Sequence, residues 1–318
     1  MTDIAHDRRL HRIAVATCCC ALLPITIGAV VTTMKWGMAV TGWPGSDGYG
    51  MFTYPWFTVA LDKFTEHGHR LAGVLIGMFA IVLAGWAWRS RPGRPVAWLA
   101  LAVLAGVIVQ GLLGGQRVLG NDPRFAMIHG LFGSAVFALM GVVVLVTARG
   151  WTAPARQPSR PVSPGLLLLA VSLPLLLVVQ AVLGGLVRHL GGALFEHLGF
   201  AAVVTFVTAG TAMAALRTGE SWLVGASRWL LVLLAVQVLL GAAAWVTRFG
   251  LAVASIGYVA VQNSAGQVVF RTAHAVTGML LMLVAVNLSV RVMRLDRLSR
   301  RAAGLPTGPA IAVPGGPA

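Results

Sequence analysis

The chain has 318 residues, of which 58% are hydrophobic and only 10% are charged, and its mean hydropathy is +0.83. This small amount of polar side chain cannot cover a soluble globule of this size, so the composition excludes a soluble domain and favours a polytopic membrane protein. The net charge of +15 would suit a nucleic-acid binder, but the placement of the basic residues indicates membrane topology instead, and no nucleic-acid partner is expected.

Eight apolar stretches are each long enough to cross a bilayer as a helix of about 20 residues. The first is too long for a removable signal peptide and lacks a convincing cleavage site, so we count it as a helix. Its cysteines, Cys18 to Cys20, are expected to behave as small apolar side chains. The spans are predicted at 13–34, 67–88, 96–118, 125–147, 165–187, 193–216, 228–247 and 270–291.

Basic residues predict the orientation and the domain boundaries. Sixteen of the 24 lysines and arginines fall on one side of the spans, which the positive-inside rule makes cytoplasmic, together with both termini. The fold class is therefore all-α, with eight transmembrane helices arranged as two pseudo-symmetric four-helix bundles in an inner (plasma) membrane. The predicted segments are a basic N-terminus at 1–12, a first bundle at 13–148, a cytoplasmic linker at 149–163, a second bundle at 164–291 and a disordered cytoplasmic tail at 292–318.

The other eight basic residues lie at the outer ends of helices or in outer loops, against this rule. Such cations need an anionic partner, and a ligand that carries carboxylates would serve. These residues are Lys35, Lys63, Arg70, Arg117, Arg124, Arg188, Arg248 and Arg271.

A repeat runs through the odd-numbered spans. A glutamine followed by small residues occurs at 110–115, 180–185 and 237–242, and the first span keeps only the end of this pattern at 27–29. Paired small residues allow a close approach either of helix backbones or of a flat ligand, and the glutamine amide can bond across helices. Ordinary helix packing and ligand binding both remain possible explanations of this repeat.

Each even-numbered span opens with a histidine near its outer end: His69, His129, His197 and His274. Imidazole binds zinc, copper and iron, but a bare metal ion usually recruits carboxylate or thiolate partners, and only two glutamates lie nearby. Haem instead needs an axial imidazole from each of two facing helices, an apolar slot and basic residues for its propionates. We therefore predict one haem between His69 and His129, and a second between His197 and His274.

Three further residues have open roles. Glu66 lies three residues before His69 on the same helix face, where it could transfer protons or stabilise positive charge, or could simply be a solvated residue at a helix start. His67 is the weaker ligand candidate beside His69. His189 is expected to be a loop residue rather than a fifth ligand.

The motif Glu66-x-x-His69-Arg70, with a histidine opening every even helix, resembles the haem A synthase family. The segment Gln110 to Gly115 followed by Arg117-Val118 is similar to that family's third helix, and the outer-loop segment 37–44 is similar to a bacterial variant. This resemblance covers about residues 13 to 291. Many relatives carry a cysteine pair in an outer loop, which this sequence lacks.

The resemblance implies a membrane enzyme that oxidises a ring methyl of haem O to a formyl group, yielding haem A for terminal oxidases. By this resemblance Glu66 would be the catalytic acidic residue, His69 and His129 would hold the substrate haem, and His197 and His274 would hold a resident haem b. The candidate propionate partners are six of the outer basic residues: Arg70, Arg117, Arg124, Arg188, Arg248 and Arg271. The implied partners are haem O synthase, an electron donor, the terminal oxidase assembly and the lipid bilayer, and a homo-oligomer is retained as an expectation.

Two other classes of protein would use some of the same residues. A dihaem b-type electron-transfer cytochrome needs the four histidines but has little use for a carboxylate beside the outer iron. A transporter would show broken helices in matched positions, and only Pro174 hints at one.

Overall fold

The computed structural model describes residues 7–90, 92–152, 161–253 and 256–304. Within these residues, eight helices are long and apolar enough to cross a membrane, which confirms the predicted all-α polytopic membrane fold. A short antiparallel hairpin, Leu251–Val253 with Ile256–Tyr258, precedes the last helix. The helices are α1 (Arg8–Thr33), α2 (Leu61–Ser90), α3 (Arg94–Gly120), α4 (Pro123–Thr147), α5 (Pro164–Gly185), α6 (Leu194–Arg217), α7 (Ser221–Phe249) and α8 (Ala265–Ala302).

Polar caps and turn residues set several of the helix ends. The Asp7 carboxylate accepts the backbone N–H groups of Arg9 and Leu10 at the start of α1, which satisfies donors that the first helical turn leaves free. Only two residues connect α3 to α4: Asn121, in the left-handed conformation at φ 45°, and Asp122, which caps α4. This tight turn forces α3 and α4 to run antiparallel as neighbours.

Some helices extend beyond their predicted spans. Helix α2 begins at Leu61 rather than 67, so Glu66, His67 and His69 lie in its second and third turns. Helix α8 continues to Ala302, so 292–302 are helical rather than part of a disordered tail. This stretch lacks a breaking residue, and Val292 and Leu295 are buried. Residues 305–318 of the predicted tail, residues 153–160 of the predicted linker and residues 1–6 lie outside the described residues.

Buried side chains form two clusters along the chain. One is built from α1 to α4 and includes Leu83 and Val103, and the other is built largely from α5 to α8 and includes Leu173 and Leu288. The halves pack together mainly through α4 and α8, where a Cβ added to Gly141 would lie 2.6 Å from a Leu283 side-chain carbon. Separate functional roles for the two halves stay a prediction.

Candidate functional site

The four histidines at the outer ends of the even helices meet as two facing pairs. The ring centres of His69 and His129 are 6.2 Å apart with planes at 80°, and those of His197 and His274 are 6.4 Å apart with planes at 84°. A ligating imidazole nitrogen lies about 2 Å from its metal and about 1 Å from its own ring centre, so two axial rings on one iron have centres about 6 Å apart. Both pairs therefore have the spacing that axial ligation of one haem iron requires.

The donor set favours haem over a bare metal ion. Among the described residues there is no group of three or more His, Cys, Asp and Glu side chains that could hold an ion. Two imidazoles leave most of the coordination positions of a free ion unfilled, whereas the haem macrocycle supplies the other four ligands of its own iron.

Each of these imidazoles packs against a glycine of the preceding odd helix. A Cβ at any of these glycines would come closer than about 3.5 Å, the ordinary carbon–carbon contact, to a ring carbon. The absence of a side chain is thus what lets the ring approach the neighbouring helix backbone. The distances from the added Cβ to the ring Cε1 are 2.7 Å for Gly28 and His69, 3.3 Å for Gly114 and His129, 3.0 Å for Gly184 and His197, and 3.1 Å for Gly241 and His274.

The glutamine repeat of the odd helices supports the same histidines. Gln110 and Gln180 donate from Nε2 to the backbone carbonyls of His129 and His197, at 2.9 and 3.0 Å. The Nδ1 atom of His274 lies 3.2 Å from the carbonyl oxygen of Gln237. A carbonyl that accepts from Nδ1–H fixes the ring and leaves the lone pair on Nε2, where the Gln237 side-chain amide lies at 3.4 Å. The sequence showed the repeat but not its register with the histidines.

The first histidine pair differs from the second in its support. Counting four residues back from the contacting glycine, α1 has Pro24 where the other odd helices have glutamine. The Nδ1 atoms of His69 and His129 are buried and make no hydrogen bond of good geometry, although a backbone group of Pro24 interacts with the His69 ring and one of Gln110 with the His129 ring. Of the four histidines, His69 is the one without a glutamine at this position of the preceding odd helix.

Glu66 and Arg70 form a buried ion pair beside the first histidine pair. The Glu66 Oε1 atom lies 3.2 Å from Arg70 Nη2, and Oε2 accepts the Val40 N–H at 3.0 Å. Arg70 also donates to the carbonyl oxygens of Val40, Gly42 and Gly45 at 2.7 to 2.8 Å. All four terminal guanidinium hydrogens of Arg70 are thus used, which leaves its Nε–H as the only donor not engaged with a described residue.

These contacts anchor a folded outer loop, residues 34–60, over α2 and α3. A Cβ on Gly115 would lie 2.6 Å from the Trp43 ring, and one on Gly37 would lie 2.5 Å from Arg117 Nη2. Such close contacts place the loop directly on the end of α3 that follows Gly114. The loop therefore covers the first histidine pair from its outer side.

The His67 side chain, on α2, contacts this loop and not the histidine pair. The side chain is 1% exposed, its Nδ1 lies 2.9 Å from the Ser46 hydroxyl, and its ring centre is 4.6 Å from that of Tyr54. Of the two neighbouring histidines, the structure places His69 opposite His129. His67 instead fixes the loop to α2.

Asp47 organises the interior of the outer loop. Its carboxylate accepts from Lys63 at 2.7 Å, from the Thr41 N–H at 2.8 Å and from the Tyr54 hydroxyl at 3.1 Å. Burial by itself would raise the pKa of Asp47, but these hydrogen bonds outweigh it and lower the pKa below its usual value.

The remaining candidate arginines have different surroundings. Arg117 interacts electrostatically with Glu66 and both histidines of the first pair, and its buried Nη1 has no partner among the described residues. Arg188 donates to the Ala29 carbonyl at 2.7 Å and to the Thr33 hydroxyl at 3.0 Å. Arg117 is consequently the cation best placed to receive a carboxylate at the first pair.

The other outer arginines and His189 differ in their exposure and secondary structure. Arg271, on α8, makes no side-chain hydrogen bond or ion pair to a described residue, while Arg248 is exposed and donates to Gln262 at 2.6 Å. Arg124 is also exposed. His189 lies in a π-helical turn, Leu186–Leu190, that extends α5, and it interacts electrostatically with His129. It is thus not the loop residue that was expected.

The chain is similar in sequence to several known proteins. No family model matches the chain. A "Heme A synthase" of Symbiobacterium thermophilum is 29% identical over 193 residues, which are 59% of this chain and 61% of that protein. A "Heme A synthase" of Alkalihalophilus pseudofirmus is 33% identical over 141 residues, 43% of this chain and 46% of that protein. These matches support the haem A synthase family.

The haem A synthase resemblance found in the residues is confirmed by these matches, although they are partial. The chain covers about half of the length of the curated relatives that it matches. A "Protoheme IX farnesyltransferase" of Halobacterium salinarum is also similar, at 29% identity over 140 residues, 43% of this chain and 29% of that protein.

Proposed function

We propose that the chain is a haem A synthase, an oxidoreductase that converts a ring methyl of haem O to a formyl group through successive hydroxylations. The observation that carries this proposal is the presence of two facing histidine pairs, 6.2 and 6.4 Å between ring centres, each cradled by glycine. The relatives named "Heme A synthase" supply the reaction. The product would serve the assembly of terminal oxidases.

The first pair is the proposed site of the substrate, haem O. His69 and His129 would hold its iron, and the unpaired Nη1 of Arg117 would receive a propionate. Bound haem would supply the oxidising chemistry. Around it, the outer loop excludes water, and Glu66 holds a negative charge that can stabilise developing positive charge or accept a proton. Arg70 keeps that carboxylate in place.

The second pair is the proposed site of a resident haem b. His197 and His274 would be its axial ligands, and Arg271, which lacks a partner among the described residues, is available for a propionate. Among the described residues no buried carboxylate lies beside this pair, so it suits electron transfer better than the oxidation proposed for the first pair. Bound there, haem b would supply electron transfer between a donor and the first site.

The same proposal covers partners and location. A haem O synthase would supply the substrate. The chain is a multi-pass membrane protein. We place it in the inner (plasma) membrane with both termini on the basic, cytoplasmic side.

Co-expression with a haem O synthase, in a host that lacks haem A, tests the activity. Extraction and mass analysis should recover haem A. The variant Glu66→Gln should retain both haems and accumulate haem O or a partly oxidised haem. Glu196→Gln is the matched control, since Glu196 is exposed and directly precedes another ligand histidine. Full conversion by Glu66→Gln would remove Glu66 from the mechanism.

Recovery of haem b and haem O alone from the co-expression would instead indicate the dihaem cytochrome. A transporter is not favoured by the helices, because α1 and α5 continue through Pro24 and Pro174. Matched broken helices are therefore not found in the part of the chain that the structure describes.

A further inference from the structure

A cluster of two arginines and two tryptophans lies at the arginine-rich end of the bundle, opposite the histidines. The Arg294 guanidinium lies 4.1 Å from the ring centre of Trp151 and 5.3 Å from that of Trp222. Arg291 lies 5.6 Å from the Trp222 ring centre and donates from Nη1 to the Trp222 carbonyl at 2.6 Å. Both guanidinium groups thus contact Trp222, at the start of α7.

Among the described residues, no ion pair joins a carboxylate to Arg291 or Arg294. The Nε atom of Arg291, the Nη1 atom of Arg294 and the Oδ1 atom of Asn287 are buried and lack a hydrogen-bond partner among the described residues. The Asp296 carboxylate, on the same helix, is paired with Arg300 at 2.9 Å. Buried guanidinium donors without a partner are costly, so these arginines favour binding of an anion.

A cavity of about 320 Å³ adjoins the cluster, between α7 and α8. Along α8 its wall begins with Arg291, continues one turn deeper with Asn287 and ends at Val284. Along α7 it runs from Gly225 to Trp229, and Gly225 has no atom within 4 Å of an added Cβ. The cavity is therefore cationic at the membrane surface and apolar towards the bilayer interior.

We propose that this cavity binds an anionic phospholipid, with the phosphodiester of the headgroup on Arg291 and Arg294. An acyl chain would lie along Val284 and Trp229. Basic pockets between transmembrane helices at the cytoplasmic side are suited to anionic headgroups. The apolar depth of the cavity distinguishes a lipid from free phosphate, which would use only its cationic mouth. This site is separate from both histidine pairs and does not depend on the proposed reaction.

The test is native mass spectrometry of the full-length, haem-containing protein in detergent with phosphatidylglycerol. The wild-type protein should retain phosphatidylglycerol at least about 10-fold more tightly than phosphatidylcholine, as expected for two charge-assisted contacts. The double variant Arg291→Gln/Arg294→Gln should lose this preference. Arg297→Gln is the matched control, because Arg297 is exposed on the same helix and should bind as the wild type does.

A second variant keeps the charges and blocks the cavity. Gly225→Leu should weaken phosphatidylglycerol binding while Arg291 and Arg294 remain, and an unchanged haem spectrum will show that the protein is folded. Equal binding of the two lipids, or wild-type binding by both variants, would overturn the proposal. Displacement of the lipid by millimolar inorganic phosphate would assign the site to free phosphate instead.

Discussion

The contact between Gly28 and His69 gives the sharpest test of the first histidine pair. In Gly28→Ala the new methyl would lie 2.7 Å from Cε1 of the ring, so relief to about 3.5 Å moves the imidazole by nearly 1 Å. Overpacking of this kind costs about 1–3 kcal/mol. If haem must bind the displaced ring, its affinity at this site should fall about 5- to 150-fold.

The measurement is a haem titration of the purified full-length protein, followed by absorption of the low-spin bis-imidazole form. The second histidine pair, which Gly28→Ala does not touch, serves as an internal reference. Gly114→Ala contacts His129 at 3.3 Å and should have a much smaller effect. Gly73→Ala, with no atom within 4 Å, should bind normally and stabilise α2 by about 1 kcal/mol. Wild-type affinity in Gly28→Ala, or an equal loss in Gly73→Ala, would refute the contact argument.

Three further outcomes are expected. His67→Ala should retain both haems, whereas His69→Ala should lose the one at the first pair, as haem-to-protein ratios will show; haem loss in His67→Ala would reverse the ligand choice. Because the folded pKa of Asp47 is lowered, its ionised form stabilises the outer loop above the unfolded pKa of about 3.9, and this contribution disappears as the pH falls through the folded pKa. The protection factors of residues 34–60 against hydrogen exchange, which correct for the pH dependence of intrinsic exchange, should therefore fall below about pH 4. Asp47→Asn should already exchange about 2- to 5-fold faster than wild type at pH 7, unless the loop does not depend on this carboxylate. Arg117→Gln should weaken the binding of haem about 10-fold, because one charge-assisted hydrogen bond to a propionate is lost. The binding of haem dimethyl ester, which has no free propionate, should not change. Equal weakening of both ligands would argue against a propionate contact.

The extent of sequence-based prediction differs between the helices and the outer loop. Hydropathy and the matched depth of four histidines are local properties, so the spans and the facing pairs could be predicted. The burial of His67 could not, because it depends on Ser46 and Tyr54, which approach α2 only after the loop folds. The Glu66–Arg70 pair has i,i+4 spacing and could have been found from the sequence.

The glycine contacts show a different reason for an incomplete prediction. The sequence shows the small residues in the odd helices, yet helix packing and ligand binding explain them equally well. A glycine in a sequence does not indicate which side chain or backbone will pack against it. Only the pairing of α1 with α2 and of α3 with α4 shows that Gly28 and Gly114 admit imidazole rings. The function of such a residue depends on the register between two helices.

The two histidine pairs share one geometry but differ in charge, and this difference favours different roles. Three residues before His69, α2 carries the buried carboxylate of Glu66, which is paired with Arg70, whereas three residues before His274, α8 carries Arg271, a cation without an ion-pair partner among the described residues. A carboxylate stabilises the electron-poor states through which an oxidation passes, while a cation stabilises the reduced form of a redox centre. The outer loop also packs over the α2 and α3 ends at the first pair, whereas the outer side of the second half has residues 191–193 between the π-helical turn and α6, and the hairpin segment before α8. Oxidation of a substrate haem therefore suits the first pair, and storage of an electron suits the second.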